Sequence, residues 1–244
     1  MEVNELDLVV CDMAGTTVRD EHEVERCFAI AAKETGLDVS NETILAVQGW
    51  SKRYVFKTLW EEQLQDTNGA ATEHVDRSYA VFKEVLEDHY RKNGAEPTEG
   101  CVETLSWLQE NGVKVALTTG FYRKVVDIIL EKLGWLEHLD EHYMGKEDSL
   151  ISLSIASDEV EHGRPAPDMI QKAMDTLGVQ DPSRVVNIGD TPSDLASGFN
   201  ANCLASIALT NGTHSKERLS QEKHDALLPS LAALPEYINS LVIA

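Results

Sequence analysis

Three short apolar runs along this chain each end in a polar residue suited to chemistry. Residues 6–11 run into Asp12 and then Gly15, VKVALTT ends in Thr118 and Thr119, and RVVNIGD ends in Asp190. Continuous apolar runs of this length predict strands buried on both faces. CLASIAL and HDALLP predict two further strands, and residues 137–144 are expected to contain another short one. Between the runs, apolar residues recur at helical spacing over 102–109, 123–133, 168–177 and 194–201, with Gly112, Gly134 and Gly178 as stops. PEYINSLV predicts a closing helix. Strands alternating with helices predict an α/β fold with a parallel sheet.

From residue 21 to 96 the texture changes. VERCFAIAAKETGL and SYAVFKEVLEDHYRKNG carry apolar residues at helical spacing, and no strand-like run separates them. This predicts an all-helical segment inserted after the first strand of a Rossmann-like core. The expected division is 1–18 and 97–244 for the core and 19–96 for the insert, with hinges near 18–21 and 95–99. QDTNGAATEH, polar throughout, is expected to be a surface loop within the insert.

Composition narrows the partners. The formal net charge is -21 over 244 residues, which argues against nucleic acid and anionic membranes as partners. A phosphate group would also be repelled at long range, so a phosphate site must be local, built from a metal, a few cations and backbone N–H groups. Glu21, Glu23, Glu25, Glu61 and Glu62 are expected on solvated faces. The four cysteines, Cys11, Cys27, Cys101 and Cys203, show no CxxC spacing and suit a reducing compartment. No apolar run reaches membrane-spanning length, and the N-terminus lacks the pattern of a signal peptide. A cytoplasmic location is expected.

The polar strand ends mark the sheet edge where open α/β folds bind ligands. Taken singly, each candidate has a plain structural reading. Asp12 and Asp190 could be turn or helix-cap residues, Thr118 a strand-end hydroxyl and Arg164 a surface ion-pair partner. The set is more specific. DMAGTT, ALTTG, HGRPAPDM and NIGDTPSD occur in this order, each at a strand end or adjoining loop. The chain in this respect resembles the haloacid dehalogenase superfamily of phosphohydrolases over nearly its whole length. The resemblance implies a Rossmannoid core with a C1-type helical cap. It implies Asp12 as a nucleophile forming an aspartyl-phosphate. It also implies Mg²⁺ held by Asp12, Asp190 and the Ala14 carbonyl. Thr118 and Arg164 would bind the phosphoryl oxygens, with Thr119 and Gly120 beside the substrate. Asp194 would orient water on the metal or anchor Arg164.

Position 14 departs from the superfamily's common pattern. An aspartate usually stands there and protonates the leaving oxygen; alanine cannot. The DxAGTT form resembles the phosphonatase branch, the phosphonoacetaldehyde hydrolases, as do Phe121 followed by Arg123 and the GRPxP around Arg164. That branch breaks a carbon–phosphorus bond after a cap lysine forms an imine with the substrate. VQGWSKRYVF offers Lys52 for this role, with Gly49 and Trp50 at the substrate pocket. An amine nucleophile must be neutral, so burial or a neighbouring cation such as Arg53 or Arg164 is expected to lower its pKa. Lys52 could equally be a solvated charge. Gly49-Trp50-Ser51-Lys52 also fits the Gly-x-Ser-Arg specificity element of related mutases and phosphatases. The branch's methionine and histidine around this lysine are here Gln48 and Val55, and Tyr54 is a candidate replacement for the histidine.

The expected function is therefore Mg²⁺-dependent cleavage of a small phosphonate or phosphorylated metabolite. The alternatives are a phosphatase acting on a phosphate ester or acyl phosphate without imine chemistry, and an inactive phosphoryl-ligand-binding protein. The family also makes a cap-mediated homodimer an expectation.

Overall fold

The computed structural model describes residues 6–65 and 69–241. Its sheet is built from β1 (Leu8–Asp12), β2 (Lys114–Thr118), β3 (Leu153–Ile155), β4 (Val185–Gly189), β5 (Ala205–Leu209) and β6 (Ala226–Leu228). The order is β3-β2-β1-β4-β5-β6, and every pairing is parallel. The chain winds outward from β1 in both directions, so β1 and β4 flank the switch point at which such sheets form a crevice. Register aligns Asp12 with Thr118 and Cys11 with Ile188. Asp12, Thr118 and Asp190 therefore leave the sheet at one edge.

All of β1 is buried, and its alternation explains why an unbroken apolar run was needed. Val9 and Cys11 join one core, with Leu105 of α5 (Cys101–Glu110), Ile129 of α6 (Arg123–Lys132) and Ile238 of α10 (Leu234–Ser240). Leu8 and Val10 join another, with Met169, Ile170 and Ala173 of α7 (Asp168–Leu177). Between β4 and β5 lies α8 (Pro192–Asn200).

Between β1 and α5 stand α1 (Glu23–Thr35), α2 (Asn41–Ala46), α3 (Lys52–Leu64) and α4 (Thr72–Asn93). Phe28 stacks on Phe56 with centroids 4.3 Å apart, and Phe82 lies 6.0 Å from each. The buried Trp60 Nε1 donates to Ser78 Oγ at 2.8 Å, which satisfies a polar group that packing would otherwise strand. The two connections from these helices to the sheet run side by side. Arg19 N donates to Glu96 O at 2.9 Å, and Thr98 N to Thr17 O at 3.1 Å.

The structure corrects several expectations. Residues 137–144 form no strand; Leu136–His138 is a 3-10 turn, and isolated bridges follow at Leu139 and Met144. Asp140 is the reason. Its Oδ1 accepts from His142 N at 2.8 Å and Met144 N at 2.9 Å, closing a tight turn. The strand in this region is β3, and a short helix, α9 (Lys216–Leu219), was not anticipated. Part of the expected polar loop, Asp66 to Asn68, lies outside the described residues, and α4 already begins at Thr72. Glu21 and Glu62 are exposed, but Glu23, Glu25 and Glu61 are partly buried. Among the described residues no helix is long and apolar enough to cross a membrane.

Candidate active site

Asp12 closes β1, and Arg164 reaches it from the loop before α7. Both are buried, at 6% and 7% exposure. Arg164 Nη1 donates to Asp12 Oδ1 and sits 2.7 Å from Asp194 Oδ1, while Nη2 donates to Thr118 Oγ1 at 2.7 Å and Thr118 O at 3.0 Å. One guanidinium thus ties together the ends of β1 and β2 and the first turn of α8. A planar fork with several fixed donors suits this better than a lysine would.

Asp190 and Asp194 are held from below. Asp190 Oδ1 accepts from Thr16 Oγ1 at 3.2 Å and Oδ2 from Thr213 N at 2.6 Å. Gly15, at φ 87°, makes this approach possible: a Cβ there would meet Asp190 Oδ2 at 2.2 Å. Asp194 Oδ2 accepts from Thr191 N at 3.0 Å and Thr191 Oγ1 at 2.6 Å, the reciprocal bonding that starts α8. Its Oδ1 lies within ion-pair reach of Arg164, yet the angle gives no hydrogen bond and leaves that oxygen unpaired among the described residues.

Asp12, Asp190 and Asp194 can present oxygens within 4.8 Å of one another. Desolvation raises the Asp12 carboxyl; Arg164 opposes this, and the two neighbouring acids add to it. Desolvation and then Asp194 raise Asp190. Three buried carboxylates beside one guanidinium leave an excess of negative charge, and one oxygen lacks a donor. That donor set is all hard oxygen and fits a divalent cation.

The helical side meets this edge across a narrow cleft, whose lining includes Asp12, Ala14, Asp20, Gln48, Lys52 and Phe121. Lys52 begins α3 and is 6% exposed. Desolvation lowers its pKa to about 8, against the pull of Asp20, Asp12 and Glu25. The partial positive charge of a helix N-terminus also disfavours an ammonium there. Its Nζ donates to Gln48 Oε1 at 3.2 Å.

The expected helpers of Lys52 are not found around it. Arg53 points outward and pairs with Asp76 at 2.6 Å. Tyr54 is 57% exposed and lies against Trp50, so it does not stand in for a histidine in the cleft. Val55 is a core residue. Arg123 pairs with Glu159 at 2.6 Å and donates to Ser154 O at 2.8 Å, which locks the loop after β3 outside the cleft lining.

Gly49 and Gly120 form a seam between the two sides. A Cβ on Gly120 would meet Gly49 O at 2.9 Å, and one on Gly49, at φ 79°, would meet Ser193 Oγ at 2.3 Å. Trp50 and Thr119 line the same cleft, and the Thr119 hydroxyl accepts from Phe121 N at 3.2 Å. Sequence reasoning did not single out Asp20 and Thr213. Asp20 lines the cleft, and desolvation, reinforced by a hydrogen bond with Glu23, raises its pKa to about 7. In the acidic run VRDEHE it looks like any solvated charge. Thr213 follows β5 in TNGT, and a polar turn after an apolar strand was its one available signal.

A sequence model described as haloacid dehalogenase-like hydrolase matches residues 6–202. The chain belongs to this family. It is a hydrolase with the family's α/β fold. A bifunctional phosphonoacetaldehyde hydrolase/aminoethylphosphonate transaminase of Clostridioides difficile (strain 630) is 30% identical over 230 residues, 88% of this chain and 33% of that protein. The hydrolase therefore spans about a third of that relative's length. A phosphonoacetaldehyde hydrolase of Parabacteroides distasonis is 26% identical over 245 residues, covering 89% of this chain and 81% of that one. In fold, the hydrolase is similar to a crystal structure of a hydrolase from Pseudomonas syringae, with a TM-score of 0.79, 17% identity, and coverage of 98% and 100% of the two chains.

Proposed function

We infer that this hydrolase cleaves the carbon–phosphorus bond of a small carbonyl-bearing phosphonate of the phosphonoacetaldehyde type. One observation carries this reading: a buried amine with a depressed pKa, Lys52, shares a cleft with Asp12 while position 14 has no carboxylate. The names of the relatives agree with it. Residues 19–96 act as a cap over a core made of 1–18 and 97–244.

Lys52 condenses with the substrate carbonyl to form a protonated imine. Asp12 attacks phosphorus, the carbon–phosphorus bond breaks, and its electrons pass into the imine to give an enamine. No alkoxide forms, so no acid is needed at position 14. Arg164 and Thr118 hold the phosphoryl oxygens, and Arg164 shifts its bond from Asp12 to the ligand. Water then releases phosphate from Asp12, while the enamine takes up a proton at carbon and a second water hydrolyses the resulting imine to acetaldehyde and free Lys52. Asp12, Asp190 and the Ala14 carbonyl would hold Mg²⁺, with Asp194 beside it; when bound, the ion offsets the repulsion between the Asp12 carboxylate and the phosphonate. Closure along the Gly49–Gly120 seam keeps water from the imine.

A second reading rests on Asp20. Its carboxyl, raised to about 7 in the same cleft, could protonate an ester oxygen and so supply the acid missing at position 14. Product analysis separates the two. Phosphonoacetaldehyde should yield acetaldehyde and phosphate together, and Lys52→Arg should lose both. If phosphate is released only from esters, and Asp20→Asn abolishes that release, the ester reading replaces the first.

A further inference from the structure

Gln48 is 6% exposed and lines the cleft. Its Oε1 accepts from Lys52 Nζ. A lysine side chain donates, so this bond fixes which end of the amide faces it. The other end, Nε2, is buried and finds no hydrogen-bond partner among the described residues. An orphaned buried donor costs free energy that the fold has no structural reason to bear. The residue that carries it lines the cleft, where a ligand would lie.

The carbonyl that Lys52 attacks brings a carbon to Nζ and an oxygen one bond further on. The two ends of an amide, acceptor and donor side by side, match that pair. We propose that Gln48 is a catalytic residue of imine formation, whose single amide binds both partners: Oε1 holds the Lys52 amine and Nε2 donates to the substrate's carbonyl oxygen. The inference rests on the imine reading of the site and adds to it the group that aligns the reaction.

The chemistry balances around that amide. The Nζ lone pair forms the carbon–nitrogen bond, and the carbonyl π pair moves onto oxygen. Nε2 already donates to that oxygen, so the charge developing there meets a fixed dipole. One proton passes from nitrogen to oxygen to give the carbinolamine. The hydroxyl then leaves as water on taking up one proton from solvent, and the protonated imine remains. A methionine at this position has no donor for the oxygen and only a weak sulfur acceptor for the amine. The glutamine therefore orients the amine and stabilises the oxygen, and the protons move through solvent, since no base stands at Val55.

The test isolates imine formation from bond cleavage. In an Asp12→Asn background, which blocks attack on phosphorus, borohydride trapping of Lys52 by phosphonoacetaldehyde is followed over time and pH. Gln48→Met should slow adduct formation at least roughly tenfold, the scale of a lost catalytic hydrogen bond. The pH midpoint of trapping should stay near 8, because burial and not Gln48 sets it. Equal trapping rates with and without Gln48 would overturn the inference and leave the imine reading standing. Absence of any adduct in protein that retains Gln48 would overturn both. Should Gln48→Met not fold, the side-chain amide resonance of Gln48 in the Asp12→Asn protein serves instead. It should shift with phosphonoacetaldehyde and not with ethylphosphonate, which has no carbonyl; no selective shift would overturn the inference.

Discussion

The two walls of the cleft are built on opposite plans. Behind the sheet side the candidate groups are cross-linked: Arg164 bonds Asp12 and Thr118 and pairs with Asp194, and Asp190 is fixed by Thr16 and Thr213. On the helical side Lys52 has one hydrogen bond and Gln48 leaves a buried donor unused. The first wall is complete before a ligand arrives, apart from a cation to balance its carboxylates. The second is finished only by the ligand. A phosphoryl group is the same in every substrate of such a fold, so rigid preorganisation serves it. The carbon portion differs, and the wall that reads it is left underpaired.

Breaking the sheet wall should have the largest effects. Asp12→Asn is expected to lower phosphate release by about 10⁴-fold, the scale seen when a nucleophile is removed, while calorimetry still detects phosphonate binding. Asp194→Asn removes the charge that pairs with Arg164 and weakens the reciprocal bonding with Thr191 that starts α8. Activity or metal affinity should fall about 10–100-fold, the usual cost of losing a group behind a metal ligand. A titration of activity against added Mg²⁺ after chelation checks this.

The seam between the walls should respond more mildly. Gly120→Ala places a Cβ 2.9 Å from Gly49 O, so closure must yield by a few tenths of an ångström or more. A roughly tenfold fall in kcat/KM is expected from overpacking of this size, with the thermal midpoint little changed, because the contact joins the walls and not either core.

On the helical wall, stability and function should separate. Lys52→Met removes a charge whose burial is unfavourable and should stabilise the fold by on the order of 1–3 kcal/mol near neutral pH, while abolishing carbonyl chemistry. The sign follows from the folded pKa of about 8 against an ordinary 10.5. Below 8 the folded protein carries the full cost of the buried ammonium. Between 8 and 10.5 the unfolded chain binds more protons, so wild-type stability rises with pH and the advantage of the variant shrinks. Denaturation midpoints across that range measure it. Smallest of all, Arg53→Ala should change stability by less than about 1 kcal/mol, and the trapping pH of Lys52 should not move, because Arg53 is exposed and spent on Asp76.

The same contrast explains what could be read from the chain. Asp12, Thr118 and Asp190 were legible because a buried parallel strand needs an unbroken apolar run, and the residue that ends it lies at the ligand edge. Arg164 needed the motif around it, since a loop residue has no periodicity of its own. Asp20 was hidden, because an acid in the run VRDEHE looks solvated; Gln48 was legible only as a departure from the branch's methionine, and its place in the cleft depends on docking of the 49–50 loop onto Gly120 and Thr191. The strand expected over 137–144 fell to Asp140, whose side chain bonds two backbone N–H groups and turns the chain.

The account's central claim is that Lys52 is a nucleophile and not merely a buried charge. Borohydride reduction of the wild-type protein with phosphonoacetaldehyde, followed by mass mapping of peptides, tests it most directly. The account predicts one reduced two-carbon adduct, on Lys52, forming faster as the pH rises through about 8. Phosphonoacetaldehyde turnover with no adduct on Lys52, or adducts spread over the exposed lysines alone, would contradict it.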